Sequence, residues 1–283
     1  MIILSEKRCN IGEGPIWNER EMRLYYTNGA GGNELCIYDP KEERLTIRAL
    51  PVGVAAYAFT KENALIVSHA GGVDILNPDN TLTPLYDKTR YDIRYANDMK
   101  VGPDGRIYVG TMSKKRKGVS EEIDGKLYSI DAGGNVRILL DGLRLSNGME
   151  WSLDEKRFYH TDSDTGIIKE YFFDKASGNI EYTGRKVHVP GVDGFTIGMD
   201  GCLYVGCWGQ GHIAVVDTKD MVLARTIETP AKIPTSCGFM GEKMDCLAVT
   251  TADYGSDLAE DPNAGFTIVQ KMNVTGRMPY LFG

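Results

Sequence analysis

Two acids and two amides, Glu13, Asn97, Asn147 and Asp193, stand at matching places in a repeated segment of the chain. Side chains that offer only oxygen can hold a hard or borderline cation, and a carboxylate among them can take a proton from water. The repeat is found from a marker, the first apolar residue after a polar turn: Leu24, Leu65, Ile107, Phe158, Leu203 and Leu247. Ten or eleven positions before these markers stand Glu13, Val54, Asn97, Asn147, Asp193 and Ser236. Five of the six carry polar oxygen. If the segment is enclosed, unpaired carboxylates there are costly, and a shared cation resolves the cost. The candidates are Ca²⁺, ahead of Mg²⁺, Mn²⁺ or Zn²⁺. The plainer readings stay open at this point. Asn147-Gly148 and Asp193-Gly194 are also hairpin signals, as Asp104-Gly105 and Asp200-Gly201 are, and Glu13 is equally a surface acid at a strand start.

The elements that must position these residues are strands. Short runs of β-branched and aromatic residues bounded by Gly, Asp, Asn and Pro recur from end to end, with no long helical period. The markers are spaced about 41 to 51 residues apart, which is the length of a four-stranded propeller blade. A further strand ends at Tyr38-Asp39, Ile75-Leu76-Asn77, Ser129-Ile130-Asp131, Phe173-Asp174 and Val216-Asp217. The expectation is an all-β fold, a six-bladed β-propeller of four-stranded antiparallel blades, forming one domain over residues 1–283. In such a fold one repeat position per blade converges on the axis. By that phase Asp104 and Asp200 fall between the first two strands, whereas Asn147 and Asp193 fall a full strand earlier.

Composition narrows the partners. A net charge of −7 disfavours nucleic acid and anionic membranes, leaving small molecules. Met1-Ile2-Ile3-Leu4 runs at once into Glu6, Lys7 and Arg8, too short for a signal-peptide core, and no window approaches a membrane span. The six cysteines, Cys9, Cys36, Cys202, Cys207, Cys237 and Cys246, show no zinc spacing and read as reduced thiols of a cytoplasmic protein. His160 reads as a hydrogen-bonded structural histidine near the Asn147 strand. A monomer or weak homo-oligomer is expected.

Gly12-Glu13-Gly14-Pro15-Ile16-Trp17, Asn97-Asp98, Ser146-Asn147-Gly148-Met149-Glu150-Trp151-Ser152 and Asp193-Gly194 resemble the regucalcin (SMP-30)/gluconolactonase family. Asp162-Ser163 and Pro234-Thr235-Ser236-Cys237-Gly238-Phe239 extend the resemblance over essentially the whole chain. It implies a six-bladed propeller that carries one divalent cation and hydrolyses aldonolactones or related lactones. By position, Glu13, Asn147 and Asp193 match the metal ligands, Asp193 also matches the general base, and Asn97 matches a substrate contact. Two departures bear on specificity. Tyr95, preceded by Arg94, stands where sugar-lactone enzymes often have arginine, and Lys114, Lys115, Arg116 and Lys117 form a basic run. That run is either a solvated loop or a rim that draws an anionic lactone, with Lys115 touching the substrate. The resemblance leaves two rivals: a non-catalytic propeller with a structural ion, and a hydrolase of another ester such as a phosphotriester or aryl ester.

Overall fold

The computed structural model describes residues 1–29 and 32–283. A short β1 (Ile2–Ile3) is followed by β2 (Gly12–Asn18), β3 (Arg23–Asn28), β4 (Glu34–Asp39) and β5 (Arg44–Ala49). The next four are β6 (Val54–Phe59), β7 (Leu65–His69), β8 (Gly72–Leu76) and β9 (Leu82–Pro84). Then come β10 (Ala96–Val101), β11 (Ile107–Thr111), β12 (Gly125–Ile130) and β13 (Val136–Leu143). They are followed by β14 (Ser146–Trp151), β15 (Arg157–Asp162), β16 (Ile167–Asp174) and β17 (Asn179–His188). The chain finishes with β18 (Val192–Ile197), β19 (Cys202–Cys207), β20 (His212–Asp217), β21 (Val222–Glu228), β22 (Pro234–Met240), β23 (Cys246–Thr251) and β24 (Ile268–Lys271). Five sheets each take four consecutive strands in sequence order; the sixth runs β1-β24-β23-β22, the N-terminal strand pairing Ile2 with Val269. The fold is a six-bladed β-propeller, as the repeat spacing indicated. Every marker residue lies on the second strand of its sheet.

The chain divides into two compact units. One comprises Met1–Gly53 with Val187–Pro279, and the other Val54–Lys186 with Tyr280–Gly283. Each has its own core: Leu24, Tyr26, Tyr204, Phe239 and Leu247 in the first; Ile66, Ile107 and Val109, with the rings of Tyr108, Trp151, Phe158 and Phe173, in the second. Burial follows strand order. Second strands such as β7 and β11 are buried throughout, because both of their faces are covered, whereas the fourth strands β5 and β21 are mostly exposed. Among the described residues no helix is long and apolar enough to cross a membrane.

The first two strands of each sheet are joined by a turn with a left-handed residue two or three places before the marker. Gly105 and Gly201 take it in two sheets; Met22, Asn63, Glu155 and Met244 take it in the others. In three sheets the acid that opens this turn accepts a hydrogen bond from the tyrosine just after the marker: Tyr25 to Glu21 at 2.5 Å, Tyr108 to Asp104 at 2.8 Å and Tyr204 to Asp200 at 2.9 Å. Asp104-Gly105 and Asp200-Gly201 are therefore turns. Asn147-Gly148 and Asp193-Gly194 are not, for they lie inside β14 and β18.

Candidate active site

All six first strands carry a register irregularity at the position singled out by the repeat. It falls between Glu13 and Ile16 in β2, Val54 and Ala56 in β6, Ala96 and Met99 in β10, Asn147 and Met149 in β14, Val192 and Phe195 in β18, and Pro234 and Ser236 in β22. A bulge breaks strand alternation and re-aims a side chain, and such features collect near functional sites. Gly14 and Gly148, at φ 56° and 26°, supply the backbone freedom two of these bulges need. Opposite each bulge, three residues after each marker, stands a small residue: Thr27, Ser68, Gly110, Thr161, Gly206 or Thr250. A Cβ on Gly110 would lie 2.0 Å from Ser146 Oγ, and one on Gly206 would lie 2.5 Å from the Thr235 carbonyl oxygen. Gly110 and Gly206 thereby make room for the first strand of the neighbouring sheet. They were legible by the same count from the marker that located Glu13, Asn147 and Asp193.

In the first unit Glu13 is half-buried near the start of β2, and Asp193 is 6% exposed near the start of β18. Between these strands packs β22: Thr235 Oγ1 donates to the Gly12 carbonyl, and a Cβ on Gly194 would meet Ser236 Oγ at 2.3 Å. The Cys207 thiol, fully buried, is pushed up to about 12 by burial and then by the charge of Asp193, so it is a thiol at neutral pH and not a nucleophile.

In the second unit the structure brings Asn97 and Asn147 together. Asn97 Nδ2 donates to the Ser146 carbonyl at 3.1 Å and to Asn147 Oδ1 at 3.2 Å. The Ser146 carbonyl can only accept, so it fixes which end of the Asn97 amide faces it. With both amide protons engaged, Asn97 offers its Oδ1. Ser146 Oγ is bonded at 2.8 Å to His160 Nε2, and burial lowers the His160 pKa to about 3. His160 is thus the structural histidine expected, neutral and unsuited to act as a base at physiological pH. Asp98, beside Asn97, has its carboxyl raised by burial against the opposing pull of Lys100.

The remaining specificity candidates sit in ion pairs and turns. Tyr95 is half-buried with φ 57°; its N–H bonds to the Ala70 carbonyl, and its own carbonyl accepts from Met112 N–H at 3.0 Å. Arg94 is exposed and grips Asp92, its Nε and Nη2 each at 2.7 Å from a carboxylate oxygen. The basic run is matched by acids: Lys114 pairs with Glu122 and Asp124, Lys115 with Glu121 at 2.7 Å, and Arg116 with Asp164. Its positive field is largely cancelled locally, which weakens the reading of it as an anion-attracting rim.

By chemistry the donor types suit a hard cation: the carboxylates of Glu13 and Asp193 in the first unit, and the amide oxygens of Asn97 and Asn147 in the second, each at a bulge of a first strand. Among the described residues no three His, Cys, Asp or Glu side chains are grouped so as to hold a metal. All six cysteines are free thiols, and among the described residues none is grouped with two further His, Cys, Asp or Glu side chains as a zinc site would need.

Comparison with known proteins agrees with this layout. Residues 11–253 match the family described as SMP-30/Gluconolactonase/LRE-like region. The chain is 29% identical over 290 residues to a Bacillus subtilis protein named provisionally as a sugar lactone lactonase, covering 99% of this chain and 98% of that one. It is 28% identical over 290 residues to regucalcin of Oryctolagus cuniculus, covering 98% and 96%. The crystal structure of regucalcin from Agrobacterium tumefaciens, a calcium-binding protein, superposes with a TM-score of 0.88 at 24% identity, covering 99% of this chain and 96% of that one. The matched span takes in Glu13, Asn97, Asn147 and Asp193 and five of the six sheets from their first strand onward, so the chain belongs to the SMP-30/gluconolactonase family.

Proposed function

We propose that this protein is a metal-dependent lactonase acting on small lactones, a sugar lactone foremost, with Glu13, Asn147 and Asp193 holding one divalent cation. The observation that carries the reading is that these three residues, spread over the matched span, occupy equivalent bulges on the first strands of three different sheets. Calcium leads the candidates because the donors are all oxygen, and one similar structure is of a calcium-binding protein.

A cation bound there supplies Lewis-acid stabilisation of the negative charge that develops on the lactone carbonyl oxygen. Asp193 would help to hold the cation and would take the proton from the attacking water, a role that needs one carboxylate oxygen to stay basic, since metal contact lowers a carboxylate's basicity. Burial lowers the His160 pKa and raises that of Cys207, which makes each a poor candidate for base and nucleophile beside the carboxylate of Asp193. Asn97 accepts from a substrate hydroxyl through Oδ1, its amide protons being occupied by Ser146 and Asn147. The second reading, a calcium-binding propeller without turnover, is favoured by similarity to proteins named regucalcin.

One experiment separates the two. Metal-stripped protein is assayed by pH-stat against a panel of sugar lactones, simple lactones and aryl esters, with Ca²⁺, Mg²⁺, Mn²⁺ or Zn²⁺ restored in turn. Lactone turnover that depends on an added ion, and is lost in Asp193→Ala with the fold intact, supports the enzyme. Gain of stability on adding metal with no turnover of any substrate rejects it.

A further inference from the structure

Of the three tryptophans, Trp17 and Trp151 are buried at 3% and 0% exposure, whereas Trp208 is not. Trp208 opens the tight turn Trp208-Gly209-Gln210-Gly211 between β19 and β20, in which Gly209 and Gly211 are left-handed at φ 72° and 68°. That turn is held against the entry to β18: Trp208 N–H donates to the Gly191 carbonyl at 2.6 Å, two residues before Asp193. Gly191 fits so closely that a Cβ there would lie 2.4 Å from the Trp208 carbonyl oxygen. Across from it stands Tyr254, 59% exposed, its ring centroid 6.4 Å from that of Trp208 at an interplanar angle of 54°. Tyr254 is held against the entry to β2. Its N–H donates to the Asn10 carbonyl at 3.1 Å, three residues before Glu13, and Ala252 bridges Ile11.

The backbones that carry the two rings are therefore tied, within one unit, to the segments that lead directly into Asp193 and Glu13. Trp208 is half-buried and Tyr254 exposed, each is tied down by its backbone N–H, and neither belongs to the unit's apolar core, so their rings leave aromatic surface open to a ligand. We infer that Trp208 and Tyr254 form a stacking platform for the ring of a neutral, polyhydroxylated lactone, whose C–H face lies against the aromatic surface while its carbonyl carbon faces the water from which Asp193 takes a proton. This inference rests on the lactonase reading and adds the residues that would make it select a sugar ring over an unsubstituted or anionic one. The exposed amide of Gln210, in the same turn, offers hydroxyl groups both a donor and an acceptor.

The test uses the calcium-loaded, full-length protein and two readouts. For kinetics, Trp208→Ala and Tyr254→Ala are compared with wild type on glucono-δ-lactone and on δ-valerolactone, the same ring size without hydroxyls. The platform predicts that KM for gluconolactone rises about five- to tenfold with kcat within twofold, that Trp208→Phe restores most of the loss, and that δ-valerolactone kinetics barely change. For binding, tryptophan emission is followed during titration with 1,5-anhydroglucitol, which has the ring but no carbonyl to hydrolyse. A saturable change is expected in wild type and none in Trp208→Phe, because the two remaining tryptophans are buried. Equal losses on both lactones, or an unchanged KM for gluconolactone in Trp208→Ala, would overturn the platform. If no lactone is turned over, the lactonase reading fails, and the anhydroglucitol titration alone decides the platform: no change in wild-type emission rejects it.

Discussion

The alanine substitution of Gly110 puts the packing at the bulges to a quantitative test. The new Cβ would lie 2.0 Å from Ser146 Oγ and 2.4 Å from Ser146 Cβ, where real Cβ atoms do not come within 3.0 Å of another heavy atom. Ser146 must retreat by roughly 1 Å, which in a packed interior costs about 1–3 kcal/mol. The retreat also stretches the buried bond from Ser146 Oγ to His160, a loss of about 1 kcal/mol, and disturbs the carbonyl that orients Asn97. Together the cost is about 2–4 kcal/mol. A chain of 283 residues has an unfolding entropy of about 0.6 kcal/mol/K, so Tm should fall by about 3–7 K. Calorimetry reads the shift directly, and lactone turnover should fall with it because Asn97 and Asn147 lose their register. Adding Ser146→Gly removes both clashing atoms, so the double variant should recover at least about 1 kcal/mol relative to the sum of the single changes. A Gly110→Ala protein that melts within about 1 K of wild type would refute the reasoning.

Three further outcomes follow from the structure. Above the dissociation constant, each tenfold rise in free Ca²⁺ should add about 1.4 kcal/mol of stability, or about 2 K in Tm, to wild type and nothing to Asp193→Ala, as read by thermal melts across a calcium series. His160, with its pKa lowered to about 3 by burial, binds its proton in the unfolded chain but not in the folded one between about pH 3 and 6.5, so its share of stability is complete above about pH 6.5 and is lost as pH falls. Denaturant melts should show that decline, on the order of 1 kcal/mol per pH unit, reduced in His160→Gln. The free cysteines should react slowly with Ellman's reagent at pH 8 in the folded protein, since most are buried and burial and nearby acids push Cys202 up to about 11; all six should react on unfolding without reductant.

Much of the fold could be read from the residues because blade repetition imposes one phase on the whole chain. Leu24, Leu65, Ile107, Phe158, Leu203 and Leu247 sit on second strands, buried on both faces, and that double burial makes their apolar signal strong enough to count from. Counting back ten or eleven places reached the bulges because the turn and the first strand have nearly constant length. The bulges themselves left no separate signal: Asn147-Gly148 and Asp193-Gly194 look like turn dipeptides, and only strand pairing shows them inside β14 and β18. Pairing of β1 with β24 was also hidden, since Ile2 and Ile3 are too short a run to announce a strand. The ion pairs of the basic run after Met112 could not be read from the sequence, because Lys114 and Lys115 meet Glu121, Glu122 and Asp124 only once the loop folds back. Trp208 and Tyr254, 46 residues apart in the chain, had nothing in their spacing to connect them.

That Glu13, Asn147 and Asp193 hold a single cation is tested most directly by long-wavelength diffraction from crystals grown with calcium. The account predicts one anomalous peak per chain, about 2.3–2.6 Å from carboxylate oxygens of Glu13 and Asp193 and from the amide oxygen of Asn147, absent in Asp193→Ala. A peak held by other residues, or none at calcium concentrations that support full turnover, would contradict it.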